Sequence, residues 1–591
     1  MKKLFVVAIA SFLFSCGSKK ESSNTENPIA SKDVAFDAFK DRFMEELWKM
    51  YPGWATGSGY HKYDSVLIIP DDTYRTKELA FVKQYIDSLA GFEDASLNEN
   101  NKTDKALILS TLNSTPWAIN KFKSFEWDPS QYNIGGAVSE ILDNKKETLE
   151  NKIRTVIQKI GKLEAYYAAA KSNIKNPTKE HTELAILQLK GTVGFFETSV
   201  TDSINKGKFG AHEQDKYNAD LKVAISHING FIAHLEGILK NNQANRSFRI
   251  GKELYAEKFS SDIQSTYSAD EIYQKALKRK EEILKDMSVL TKKLWPKYMK
   301  NAVMPANENE AIKALIGEIA KTHVSREKFQ TEIERQIPIL TKFVKDKNLL
   351  YMDPSKPLVV RKEPEWMAGV AGASISAPGP YDKEGDTFYN VGSLAAYSPE
   401  DAESFLKEYN KYILQILNIH EAIPGHYAQL VYKNQSPSIV KAIFGNGAMI
   451  EGWAVYTEKM MLEEGWDKNT ELNGTAEQDE MWLMYNKWHM RVVCNTILDY
   501  SIHNLNMSKE EGLNLLMNEA FQEKAEAEGK WKRATLTQVQ LCSYFTGFTE
   551  IYDFREELKK QQGKNFDLKK FHEKFLSYGS APVTEIKKLM K

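Results

Sequence analysis

From Val34 to about Lys345, apolar residues return every three or four positions, the period of amphipathic helices. Phe36, Phe39, Phe43 and Leu47 share one face of the first run, which stops at Pro52-Gly53. The pattern predicts helices over 74–89, 103–112, 139–172, 178–204, 212–241, 269–293 and 308–345, with a loop-like stretch over 51–72. Between 351 and 391 the character changes. Prolines and glycines cluster there, and short extended runs appear at Leu358-Val359-Val360 and Thr387–Val391. We read Thr387–Val391, with Tyr389 at its centre, as an edge strand whose backbone pairs with an extended substrate. Beyond it the helical period resumes over 399–419, 446–464 and 479–506. The expected fold is mainly α, a large two-lobed helical body with a cleft and a small β region just before the metal-bearing helix. The lobes are expected to span 34–345 and 346–591.

The first residues follow another rule. Lys2-Lys3 precede an apolar run from Leu4 to Phe14, too short to span a bilayer as a mature helix. Residues 1–15 therefore read as an export signal. The run ends Leu13-Phe14-Ser15-Cys16, which resembles a bacterial lipoprotein box with Cys16 as the lipidated residue. Residues 16–33 are polar and are expected to form a flexible tether. An exported protein held to a membrane by a lipid is the implied localisation.

Composition narrows the function classes. A formal net charge of −1 over 591 residues gives no electrostatic case for nucleic acid. Cys494 and Cys542, the cysteines other than Cys16, lie in apolar helical patterns and are expected to be buried thiols, since two cysteines make no disulfide scaffold.

The chemistry is concentrated at His420-Glu421-Ala422-Ile423-Pro424-Gly425-His426, followed by Glu451. Two histidines and a distant glutamate make a hydrolytic Zn²⁺ site with one position left for water, and Glu421 is placed to take a proton from that water. The histidines stand six apart, not four. On an unbroken helix six residues turn about 600°, which leaves the two rings on different faces. Pro424 and Gly425 supply a break, and we expect a bulge that swings His426 back to the metal. His420, His426 and Glu451 are thus the expected ligands. Glu458, two helical turns beyond Glu451, is expected to orient a ligand histidine from behind.

Arg491, Asp499 and His503 form a polar stripe on an otherwise apolar helix, and such a stripe needs partners or a cavity. Hydrolysis of a peptide builds negative charge on the carbonyl oxygen. His503 is the first candidate donor to it and Tyr544 the second. Arg491 is a candidate for binding a substrate carboxylate in a fork, and Asp499 for fixing the tautomer of His503.

The motifs HEAIPGH, EGWAVYTE at 451–458, the stretch ending in His503, SYFTG around Tyr544 and YPGWATGSGYHKYD at 51–64 together resemble the bacterial domain-of-unknown-function family 885. The resemblance runs from about Phe39 to Ala581. It implies a zinc-dependent, peptidase-like helical protein with a deep cleft. More distantly the pattern is similar to thimet-type oligopeptidases and helical carboxypeptidases, in which a Glu, a His and a Tyr hold roles like those assigned to Glu421, His503 and Tyr544. The HExxPGH spacing departs from both. The expected function is a zinc metallopeptidase acting on short peptides. The alternatives are a metallohydrolase of other amides or esters, and a non-catalytic helical binding lipoprotein.

Overall fold

The computed structural model describes residues 28–364, 373–382, 385–395, 397–436, 438–473 and 477–590. The export signal and Cys16 lie outside these residues. The fold is mainly α-helical with one small sheet. Its first helix, Pro28–Met50, starts inside the segment expected to be a tether, and Asp33 accepts hydrogen bonds from the backbone of Asn98 and the side chain of Asn101. The stretch read as a loop holds a short helix, Pro52–Gly57, with Pro52 at its first position, where the missing N–H costs nothing.

Three long helices expected from periodicity are broken by local side-chain chemistry. The 139–172 run is three helices, Gly135–Asp143, Leu149–Ile160 and Leu163–Asn173. Asn144 accepts from the backbone of Lys146, and Thr148 caps the next helix at Asn151. The 308–345 run splits into Glu308–Ile319 and Phe329–Asp346. The helix expected to run from 399 to 419 splits at Asn410, whose Oδ1 accepts from the backbone N–H of Tyr412 at 3.1 Å and so starts a new helix, Ile413–Glu421.

Apolar side chains gather in two cores. The smaller contains Tyr132, Val138, Ile153, Leu189, Phe231 and Leu235, all from residues 132–238. The larger draws on both sides of residue 345, from Phe36 and Trp48 through Ile333 and Leu340 to Trp453, Tyr485 and Phe575. His181, from the smaller group of helices, crosses between them. Its Nδ1 meets the Thr178 hydroxyl at 2.6 Å and its Nε2 donates to the backbone oxygen of Leu536 at 3.0 Å. Cys494 and Cys542 are buried and free. No helix among the described residues is long and apolar enough to cross a membrane.

The sheet corrects one expectation. β1 (Leu358–Lys362), β2 (Ala373–Ser376) and β3 (Thr387–Val391) are ordered β1-β3-β2, so β3 is the middle strand, parallel to β1 and antiparallel to β2. Its backbone groups are taken by neighbours on both sides, and it is not an edge. Tyr389 is fully buried, and its hydroxyl donates to Asn418 at 2.9 Å. Because Asn418 lies one turn before the end of the Ile413–Glu421 helix, Tyr389 ties the sheet to the helix carrying His420. The border strand packed against that helix is β2.

Candidate metal centre

His420 lies at the end of a helix whose residues are buried on every side. The expected bulge is a full break. One helix ends at Glu421 and the next, His426–Asn434, opens with His426 itself. Ala422 and Ile423 donate to the Asn418 carbonyl, and the N–H of Gly425 donates to the Ile419 carbonyl at 3.0 Å. Gly425 is required by closeness. A Cβ at this position would lie 1.9 Å from the carbonyl oxygen of His420, a separation no side chain tolerates. Trp453 donates its indole N–H to the Pro424 carbonyl at 3.0 Å and pins the turn to the helix Gly447–Glu463, which carries Glu451. That helix starts at Asn446, whose Oδ1 accepts from the backbone of Met449 and whose Nδ2 donates to the carbonyl of Ile263.

The break brings the three predicted ligands together. One ligand atom from each of His420, His426 and Glu451 lies within 4.8 Å of the others. The carboxylate oxygen of Glu451 is 3.3 Å from Nε2 of His426 and 3.8 Å from Nε2 of His420. Tetrahedral zinc with bonds near 2.0–2.1 Å holds its ligand atoms about 3.3 Å apart, so the spacing suits that ion. The two imidazole rings stand nearly perpendicular, at 88° with centroids 4.8 Å apart. This Glu451 oxygen is buried with no hydrogen-bond donor, which a cation would satisfy. Two imidazole nitrogens and one carboxylate are a zinc donor set, and the residues present fit the metal.

Behind the ligands, Nδ1 of His420 meets Oε1 of Glu458 at 2.7 Å, and the same oxygen accepts from the Trp488 indole at 2.8 Å. Nδ1 is thereby engaged and Nε2 is left facing Glu451 and His426. Burial pushes the Glu458 carboxyl well above its usual range. Burial also lowers His420, helped by the charge of His426. For His426 burial acts downward, but the Glu451 carboxylate 3.3 Å away outweighs it and holds the imidazole near 9. Glu451 shows the mirror effect, lowered to about 2 against its burial by His426. Burial raises Glu421, between the two histidines in sequence, to about 7.

Tyr544 enters from the helix Cys542–Gln562 and lies parallel to the His420 ring at 6.2 Å. The two helices meet backbone to backbone. A Cβ on Gly452 would lie 2.3 Å from the carbonyl carbon of Gly547, and one on Gly547 would lie 1.7 Å from the oxygen of Ala448. This contact sets Tyr544 beside the ligands.

The polar stripe divides. Arg491 faces the cluster electrostatically and stacks over Trp488, but it is ion-paired with Glu526 at 2.7 Å. His503 makes its contacts elsewhere. Its ring stacks on Tyr255 at 5.7 Å and meets the carbonyl of Ala534 at 3.3 Å. Asp499 does not meet His503. Its Oδ1 accepts from the Tyr255 hydroxyl at 2.7 Å and the backbone of Val539 at 2.9 Å. The i, i+4 spacing placed Asp499 and His503 on one face correctly, but Tyr255 stands between their chemistries.

Four residues that the sequence did not point to complete the surroundings. Trp453 and Trp488 hold the turn and the Glu458 carboxyl. Arg533, on the helix Lys524–Leu536, donates through Nη2 to the Tyr544 hydroxyl at 2.8 Å and to Gln540 at 2.9 Å, while Gln540 donates to Glu451 at 3.3 Å. Arg533 stands in the run Lys530-Trp531-Lys532-Arg533, which reads as a solvated basic helix end, so no spacing signal marks it.

Comparison with solved structures finds this architecture in a candidate lipoprotein of unknown function from Shewanella oneidensis, 50% identical, with a TM-score of 0.81 over 94% of this chain and 99% of that one. A candidate lipoprotein from Colwellia psychrerythraea, 17% identical, shares the fold with a TM-score of 0.75 over 94% of this chain and 98% of that one. No curated protein matches the chain. The model of a family of bacterial proteins of unknown function, DUF885, matches residues 52–590, and the protein belongs to that family.

Proposed function

We propose that this protein is a zinc-dependent hydrolase that cleaves short peptides. The observation that carries the reading is the convergence of His420, His426 and Glu451 within 4.8 Å, with Glu458 fixed on the outer nitrogen of His420. These three side chains hold the ion. Zinc bound there supplies a Lewis acid and lowers the pKa of a water in its open position.

The remaining chemistry belongs to the chain. Glu421 is the general base, a buried carboxyl next in sequence to His420. It takes a proton from the attacking water and passes it to the leaving amine. Tyr544 donates its hydroxyl hydrogen to the oxyanion of the tetrahedral centre. The Tyr544 hydroxyl accepts from Arg533, which leaves its own proton free to point at substrate. Tyr544 takes this role ahead of His503 because His503 is occupied with Tyr255 and Ala534. Glu458 holds His420 in the tautomer whose Nε2 is a free donor of electrons.

The protein acts outside the cytoplasm, held to a membrane through Cys16. The leader sequence and the description of the 50% identical Shewanella relative as a candidate lipoprotein support this.

The test is metal analysis of the purified protein together with product identification from a mixed peptide digest. About one zinc per chain and cleavage that a chelator abolishes are expected. A protein that takes up no zinc and leaves every peptide intact would overturn the reading.

A further inference from the structure

Two guanidinium groups face the metal cluster, and they differ in one respect. Arg491 is neutralised by Glu526 at 2.7 Å. Arg533 has no carboxylate within ion-pairing distance among the described residues. Its partners are the neutral Tyr544 hydroxyl and Gln540 amide, and its Nε is buried without any acceptor. That enclosed, unused N–H is a place an arriving anion would complete. The direction from which an anion can arrive is set by the neighbours. Arg533 is one hydrogen bond from Tyr544 and, through Gln540, two from the ligand Glu451, so an anion on it lies beside the cluster.

We propose that Arg533 receives the free α-carboxylate of a peptide substrate, so that the bond cleaved lies within about two residues of the C-terminus. The inference rests on the hydrolase reading above. It moves carboxylate recognition from Arg491, where the sequence suggested it, to Arg533. A planar guanidinium matches a carboxylate in a two-pronged contact that a lysine cannot make. An Arg533 so engaged fixes the end of the chain while Tyr544, which it also touches, stays aimed at the carbonyl. Internal bonds of long chains lack this anchor and are poor substrates.

The experiment uses the full zinc-loaded protein and three peptide sets of one sequence: a free C-terminal acid, its amide, and an amide whose last residue is Glu. Wild type is expected to cleave the free acids at least about tenfold more efficiently than either amide, mainly through KM, and to release one or two C-terminal residues. Arg533→Gln should bring the acid-to-amide ratio close to one, and Arg533→Lys should keep part of it. Binding of the acid and amide peptides to Glu421→Gln, measured by calorimetry, gives the same preference without turnover. Equal cleavage of acids and amides by wild type overturns the proposal and leaves the hydrolase reading standing. A Glu-ending amide that matches the free acid also overturns it, because a side-chain carboxylate would then suffice. Failure to cleave any peptide sinks the hydrolase reading instead. The wild-type comparison needs no variant to fold.

Discussion

Nδ1 of His420 and Oε1 of Glu458 lie 2.7 Å apart, with the Glu458 side chain fully enclosed. The contact spends a buried carboxyl on the orientation of one imidazole. Glu458→Gln keeps the volume but exchanges a carboxyl oxygen for an amide. Zinc affinity should fall roughly 10- to 100-fold, as for other partners of metal-bound histidines. Competition with a chromophoric chelator measures it, and unchanged affinity would remove Glu458 from the account of the metal site.

Glu421→Gln should separate binding from chemistry. The residue is adjacent to a ligand without belonging to the cluster, so zinc content should stay at the wild-type level. Turnover of a peptide that wild type cleaves should drop by about 10²- to 10⁴-fold. Loss of zinc in this variant would mean that Glu421 is a ligand and not the base.

Gly452→Ala tests the helix contact that sets Tyr544. The added methyl would sit 2.3 Å from the carbonyl carbon of Gly547, and helix backbone cannot yield as a flexible side chain can. A loss of about 1–3 kcal/mol is expected, read as a lower melting temperature. Peptide turnover should fall with it as Tyr544 is pushed from the cluster. A variant as stable and as active as wild type would show that the helices have room to part.

Acid should weaken the fold through His503. Burial holds its folded pKa near 4, while the unfolded chain titrates near 6.5. Below 6.5 the unfolded state takes up a proton that the folded state refuses, so stability declines as pH falls toward 4 and is flat above 6.5. The full effect is roughly 3 kcal/mol. His503→Gln should show a smaller drop in melting temperature between pH 7.5 and pH 5 than wild type. An identical drop would mean that His503 is not held neutral.

Sequence reading located the candidate metal cluster because its members sit within motifs whose spacing is short. His420, Glu421 and His426 are close along the chain, and Glu451 with Glu458 recur at helical period. It misread what depends on packing between distant helices. Tyr544 reaches the Glu451 helix only because Gly452 and Gly547 allow two helices to touch, and no periodicity marks that. Asp499 and His503 satisfied the i, i+4 rule, yet Tyr255, more than two hundred residues earlier, decides where Asp499 donates its lone pairs. Likewise β3 had the composition of an edge strand but is flanked on both sides, because β2 was not recognised in a stretch of small residues. Helix breaks at Asn410 and Asn144 were lost for a related reason: a single side chain capping the backbone outvotes a continuous apolar stripe.

The hydrogen bond from His181 to the Leu536 carbonyl has a mechanical consequence. Leu536 closes the helix that carries Arg533, three positions after it. The outlying helices around Phe231 are therefore strapped to the very rod that holds Arg533. A shift of that outer bundle would reach the Arg533 helix through this one contact, at the helix end rather than along its length.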